Sequence, residues 1–222
     1  MYKGIIFDLD GTLLDTLYDL AEAGNHALGA MGLPQHPAEA YKHMVGNGIP
    51  KLVTRMLPAH QLGAATQALA LQLFLRHYDA HKLDHTRPYP GIPALLAGLV
   101  KAGVLLGVVS NKDDAPAQAI VEHFFPQVFC AVRGRLDGTP PKPDPALVHA
   151  VLHAWGLPPQ TVLYVGDSGV DIATAHNAGL AGCGVLWGFR GGDELAAAGA
   201  DYLAADVVEL AHIIGENGGL QS

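Results

Sequence analysis

The first apolar run of the chain, Ile5-Ile6-Phe7, breaks straight into Asp8-Leu9-Asp10-Gly11-Thr12. An apolar strand with two carboxylates at its tip narrows the possible folds more than any other stretch. Burying one ionised carboxylate is costly, and burying two without a counter-charge is costlier still. Residues i and i+2 of a strand share a face, so Asp8 and Asp10 together suit a hard, oxygen-loving cation such as Mg²⁺. Held that way, one carboxylate can serve as a nucleophile and the other as an acid/base. Taken alone, the stretch also reads as a turn closing a strand, because Asp and Gly both favour turns.

Three more apolar runs have the look of buried parallel strands: Leu105–Val109, Val162–Val165 and Cys183–Leu186, with a weaker edge candidate near Ala200–Leu203. Helical segments separate most of them. That alternation predicts a doubly wound, Rossmann-like α/β sheet. Polar residues follow three of the runs: Asp8/Asp10, Ser110/Asn111 and Asp167/Asp171. Ligands of open α/β sheets bind beyond the carboxyl ends of the strands, so three segments should converge on one crevice.

Residues 15–86 differ in character. They are rich in Ala, Leu, His and Gln, show helical spacing at Asp19–Leu28, Leu52/Met56 and Leu69/Leu73, and break at Gly32-Leu33-Pro34, Gly46-Asn47-Gly48 and Leu57-Pro58. They read as a helical cap inserted into an α/β core formed by residues 1–14 and 87–222, with a Pro-rich return at Arg87–Gly91. The end of the chain, residues 218–222, reads as frayed.

With 222 residues, half of them hydrophobic, the chain can bury a full core. A net charge of −8 without a basic run argues against nucleic acid or an anionic membrane as the main partner. No apolar run reaches the roughly 18 residues of a membrane span. Cys130 and Cys183 have no metal or redox spacing and read as free thiols. Strand-like residues start almost at Met1, leaving no room for a signal peptide, so a cytoplasmic location is expected. Twelve histidines invite a metal reading, and His77 and His81 are four apart on a predicted helix. No third ligand is evident beside them, which favours a plain surface helix.

Four blocks occur in order: Asp8-Leu9-Asp10-Gly11-Thr12, Ser110-Asn111, Lys142-Pro143, and Gly166-Asp167-Ser168 with Asp171. Singly, each has an ordinary explanation, such as a helix N-cap at Ser110-Asn111 or Asp167 and Asp171, or a solvated lysine at Lys142. Jointly, in register with the strand pattern, they resemble the haloacid dehalogenase superfamily, and within it the phosphoglycolate phosphatase-like enzymes with a helical cap. The resemblance implies a Mg²⁺-dependent phosphatase working through an aspartyl-phosphate. Asp8 is then the nucleophile, and Asp10 protonates the leaving oxygen and later activates water. Mg²⁺ is held by Asp8, the Asp10 backbone carbonyl and Asp167. Asp171 stands behind them, orienting a metal-bound water or Lys142. Ser110, the Asn111 backbone N–H and Lys142 bind phosphate, and the Thr12 hydroxyl steadies Asp10.

Single residues narrow the chemistry further. Dehalogenases of the superfamily lack the second acid of the first block, so Asp10 favours phosphoryl transfer, and Thr12 favours hydrolysis over the mutase branch. The turn Gly46-Asn47-Gly48 is similar to that of the phosphoglycolate branch, and Lys51 and Arg55 follow it one turn apart on a predicted helix, suited to a substrate carboxylate. The expected partner is a small phosphorylated metabolite, 2-phosphoglycolate first, with the protein a monomer or homodimer. Alternatives are a pyrophosphatase, a β-phosphoglucomutase, or a non-catalytic anion- or partner-binding relative. Arg190, after the last core strand, is a further residue near which a site rim could lie.

Overall fold

The computed structural model describes residues 2–216, so the frayed end expected at 218–222 lies outside the described residues. In chain order its strands and helices are β1 (Gly4–Phe7), β2 (Leu14–Asp15), α1 (Leu17–Ala30), α2 (Ile49–Met56), α3 (Ala64–His81), β3 (Arg87–Pro88), α4 (Ile92–Lys101), β4 (Leu105–Asp113), α5 (Asp114–Phe124), β5 (Ala131–Arg135), α6 (Ala146–Trp155), β6 (Val162–Gly166), α7 (Gly169–Asn177), β7 (Ala181–Val185), α8 (Gly192–Ala197), β8 (Tyr202–Ala204) and α9 (Val207–Glu216). The chain divides into two compact units. One holds the chain up to Leu14 and from Pro88 onward; the other is Asp15–Arg87.

The first unit is a parallel sheet in the order β5-β4-β1-β6-β7-β8. All four residues of β1 are buried, which is why this central strand is an unbroken apolar run rather than an alternating one. From β1 the chain builds outward through β4 and β5, then crosses to β6, β7 and β8 on the other side. That reversal of strand order leaves a crevice at the carboxyl ends of β1, β4 and β6. Val148, Val151 and Leu152 of α6 pack with Ile6, Val109 and Tyr164. Trp155, at the end of α6, lies so close to the sheet that a Cβ at Gly4 or Gly107 would stand 2.7 or 2.9 Å from its ring.

Two features of the sheet depart from the sequence expectation. β5 was not anticipated: Ala-Val-Arg-Gly-Arg has no apolar run, and as an edge strand it needs none. β4 runs on to Asp113, with a register shift between Val109 and Asp113, so Ser110 and Asn111 lie inside the strand rather than after it. Helix α5 begins only at Asp114, which removes the N-cap explanation for Ser110-Asn111. The weak edge candidate near residue 200 is β8.

In the second unit α1 packs on α3. The buried face of α3 is Ala70, Phe74 and Tyr78, whereas Leu69 is exposed; the Leu69/Leu73 stripe expected from the sequence is out of phase by one residue. Two aromatic rings bury more area than the leucines and set the rotation of the helix. Tyr41 fills the space left by Gly24 and donates to Asn25 Oδ1 at 3.0 Å. The buried Asp19 carboxylate accepts from His85 N, Thr86 N and Thr86 Oγ1 at 2.8, 2.9 and 2.6 Å, tying α1 to the end of the unit. His77 has the third histidine the sequence did not reveal. His26 of α1 stacks on it at 4.3 Å and His81 at 4.4 Å between ring centroids, so ring faces meet rather than lone pairs. Cys130 and Cys183 are free, and no helix among the described residues is long and apolar enough to cross a membrane.

Candidate active site

The tip of β1 is anchored by the Asp8 N–H, which donates to Val165 O of β6 at 2.8 Å. Beyond it the chain turns back, with Gly11 N donating to Leu14 O at 2.9 Å. Gly11 has φ +85°, and a Cβ there would collide with Asp167 Oδ2, so this turn requires glycine. β6 delivers Asp167, and Asp171 follows in the first turn of α7, where a capping box with Ser168 fixes it.

Lys142 lies at the centre. Its three N–H donors go to Asp171 Oδ1 at 2.7 Å, Tyr164 Oη at 3.2 Å and Val109 O at 3.2 Å. Asp8 Oδ1 is as near, at 2.8 Å, and forms an ion pair with the same ammonium. The lysine is therefore held between Asp171 and Asp8. Burial opposes the ammonium, yet Asp171 and Asp8 together raise Lys142 well above its ordinary range.

The carboxylates are raised as well, which in their case disfavours the charged form. Burial, followed by repulsion from Asp171, pushes Asp8 up to about 7 despite Lys142. Burial, then Asp171 and Asp8, raises Asp167 well above the usual carboxylate range, although Phe189 N donates to its Oδ2 at 2.7 Å. Asp8, Asp167 and Asp171 each offer an oxygen, all within 4.8 Å of one another. An all-oxygen, over-acidic, buried set is what a hard divalent cation relieves, so these residues fit Mg²⁺. Both oxygens of Asp171 are already engaged, by Lys142 and by Ser168 N and Oγ. Asp8 and Asp167 are the better-placed donors.

Asp10 has a partner that the sequence reading did not name. Its Oδ2 lies 3.1 Å from Lys112 Nζ, a buried lysine that sequence reasoning passed over. Its Oδ1 is buried without a hydrogen-bond partner among the described residues. So is Thr12 Oγ1; the Thr12 hydroxyl does not steady Asp10. Ser110 Oγ accepts from Lys112 N at 3.2 Å, which leaves its own proton available to donate. The side chain of Asn111 clamps the Lys142 backbone, a role the sequence reading missed.

The remaining expected residues are described within their own units. In the helical unit, Gly46 and Gly48 have φ of +112° and +82°, values that suit glycine. Arg55 donates to Met44 O at 2.9 Å and Asn47 Oδ1 at 2.6 Å, so its guanidinium braces the turn, while Lys51 is exposed. In the α/β unit, Arg190 Nε is 3.5 Å from Glu194. Its neighbours matter more: besides the Phe189 N–H on Asp167, Trp187 Nε1 donates to Thr12 O at 3.1 Å.

The sequence model of one family, described as "Haloacid dehalogenase-like hydrolase", matches residues 5–185. The chain is 40% identical over 188 residues to a phosphoglycolate phosphatase of Rhodospirillum rubrum, covering 81% of this chain and 78% of that protein. It is 34% identical over 220 residues to one of Vibrio cholerae serotype O1, covering 96% of both. A crystal structure described as a predicted phosphoglycolate phosphatase from Haemophilus somnus superposes with a TM-score of 0.89 at 32% identity, covering 96% of this chain and 97% of that one.

Proposed function

The chain belongs to the haloacid dehalogenase-like hydrolases and is a phosphatase of that family, and we propose that it hydrolyses a small phosphate monoester, 2-phosphoglycolate first among them, in a Mg²⁺-dependent reaction in the cytoplasm. The observation that carries this reading is the meeting of Asp8, Asp167, Asp171 and Lys142 at the carboxyl ends of β1 and β6, with Asp10 beside them. Bound there by Asp8, Asp167 and the Asp10 backbone carbonyl, Mg²⁺ would neutralise carboxylates facing an anionic substrate and act as a Lewis acid on the phosphoryl group.

Asp8 attacks phosphorus and takes the phosphoryl group as an aspartyl-phosphate. Lys142 Nζ, 2.8 Å from Asp8 Oδ1, supports this role by keeping a fixed cation beside the attacking carboxylate. Lys142, fixed by Asp171, keeps a positive charge beside the transferring group throughout. The Ser110 hydroxyl donates to a phosphoryl oxygen. Asp10 protonates the leaving oxygen, then removes a proton from the water that attacks phosphorus in the intermediate. Choice among phosphate monoesters is assigned to the helical unit, whose Gly46-Asn47-Gly48 turn carries the sequence likeness to the phosphoglycolate-specific branch.

The test is phosphate release from 2-phosphoglycolate, pyrophosphate, sugar phosphates and nucleotides, with Mg²⁺ and with EDTA. Metal-dependent release that prefers 2-phosphoglycolate is expected. Broad, unselective release would remove the substrate assignment. Conversion of β-glucose 1-phosphate to glucose 6-phosphate without free phosphate would replace hydrolysis by mutase chemistry.

A further inference from the structure

Lys112 is an unusual residue to find at its position. It lies near the end of β4, its side chain is only 3% exposed, and its Nζ is 3.1 Å from Oδ2 of Asp10. A buried ammonium needs oxygen partners, and the Asp10 carboxyl supplies one whether or not its other oxygen is protonated. The neighbours on β4 are otherwise committed: Ser110 Oγ takes the Lys112 N–H, and the Asn111 side chain grips the Lys142 backbone. The register shift between Val109 and Asp113 is where β4 leaves the regular ladder, and such irregularities re-aim side chains at the ends of strands.

We propose that Lys112 is the positioning residue for proton transfer: it pins Oδ2 of Asp10, so that Oδ1 alone carries the proton. This rests on the phosphatase reading above, in which Asp10 is the acid/base. Two observations favour it over a purely structural ion pair. Oδ1 of Asp10 is buried and has no hydrogen-bond partner among the described residues, which leaves it free for a reacting oxygen. The hydroxyl nearest in sequence, Thr12 Oγ1, has no hydrogen-bond partner among the described residues, so the task of orienting Asp10 is not done there. A proton on Oδ2 would face an ammonium, whereas a proton on Oδ1 would not; the lysine therefore selects the oxygen as well as the rotamer.

The steps balance. In the first, the Oδ1 proton passes to the bridging oxygen as the P–O bond to the leaving group breaks and the bond from Asp8 to phosphorus forms, giving the free alcohol, the aspartyl-phosphate and ionised Asp10. In the second, Oδ1 takes a proton from water as the water oxygen bonds to phosphorus and the Asp8–phosphorus bond breaks. Inorganic phosphate leaves, and Asp10 is protonated again for the next turnover.

The leaving group supplies the test. An alkoxide leaves poorly without protonation, whereas 4-nitrophenolate needs almost no proton. kcat/KM reports on transfer to Asp8 for both substrates, before the shared hydrolysis of the intermediate. We expect Lys112→Met to lower kcat/KM for 2-phosphoglycolate, or for whichever alkyl phosphate is turned over best, by roughly 10²-fold, within the range for a general acid. The loss for 4-nitrophenyl phosphate should be smaller by about tenfold or more, and Asp10→Asn should show the same bias more strongly. Lys112→Arg should restore part of the alkyl rate, and it carries the comparison alone if the methionine variant fails to fold. Equal losses on both substrates in the Lys112 variants, with the bias intact in Asp10→Asn, would overturn the positioning role and leave the phosphatase reading standing. Absence of the bias in Asp10→Asn itself would remove Asp10 as the acid, and the proposal with it.

Discussion

Asn111 grips the backbone of Lys142 from two sides: its Oδ1 accepts the Lys142 N–H at 2.8 Å, and its Nδ2 donates to Lys142 O at 3.4 Å. The lysine that neutralises Asp8 and Asp171 lies in the loop after β5 and is thus placed by a residue of β4, through its main chain rather than its charged tip. Asn111→Ala should release this hold and leave a buried N–H unpartnered, an effect of about 1–3 kcal/mol. For a chain of this length that lowers Tm by roughly 2–4 °C per kcal/mol. Turnover should fall more than stability explains, with kcat reduced about tenfold or more, because Lys142 acts on the transition state. Steady-state kinetics beside a thermal melt check this; unchanged kcat with a lowered Tm would mean that the clamp is structural only.

Asp8 sets catalysis against stability. Its carboxyl is pushed up to about 7 by burial and then by Asp171, above the ~3.9 of an unfolded chain. The sign follows from proton linkage: the folded protein binds the proton more tightly, so the associated stability is complete below about 3.9 and is lost as pH rises through about 7. Asp8→Asn removes that penalty. In EDTA the variant should melt above the parent at pH 8, with the advantage shrinking toward pH 5, while turnover disappears. Added Mg²⁺ should raise the Tm of the parent more at pH 8 than at pH 6, since ionised carboxylates bind it. A variant melting below its parent at pH 8 would contradict the assignment of strain to Asp8.

How much of this was legible beforehand varies from residue to residue. The block at Asp8–Thr12 stood out because a central strand buried on both faces is an uninterrupted apolar run, and two carboxylates at its end have few harmless explanations. β5 was invisible because Ala131–Arg135 is an edge strand with Arg and Gly in it, and edge pairing asks little of side chains. Lys112 was missed for a related reason: the apolar run that marks β4 stops at Val109, while the strand itself continues to Asp113. The Phe189 N–H that holds Asp167 is a backbone donor, which any residue but proline supplies, so no letter of the sequence announces it. The Thr12 expectation came with the resemblance, and a motif fixes residue types without fixing the rotamer that would bring the hydroxyl to Asp10.

Gly11 joins the fold to the site. Its φ of +85° is disfavoured for other residues by roughly 1–2 kcal/mol, and a Cβ would also displace Asp167 Oδ2. Gly103 offers a control, with φ +76° and no heavy atom within 4 Å of where a Cβ would stand. Gly11→Ala and Gly103→Ala should both lower Tm by a few degrees, but only Gly11→Ala should weaken Mg²⁺ activation and remove most of the turnover. Parallel magnesium titrations of the two variants decide the matter; equal activity in both would detach Gly11 from the carboxylate cluster.

The histidine row in the helical unit makes a prediction independent of catalysis. Burial, then His26 and His81 stacked on either side, lowers the pKa of His77, against the opposing pull of Glu22 and Asp84. A depressed histidine pKa means that the fold prefers the neutral ring. Its contribution is present above the unfolded value of about 6.5 and is lost as pH falls through the lower folded value. Between pH 8 and pH 5 the parent should therefore lose more Tm than His77→Gln, whose side chain cannot be protonated. His26→Gln should also lose less, because it takes away one of the two like charges that face His77 in acid. If both variants track the parent across that range, the stacked rings are packing alone, and α1 and α3 are held by Ala70, Phe74 and Tyr78 without an electrostatic liability.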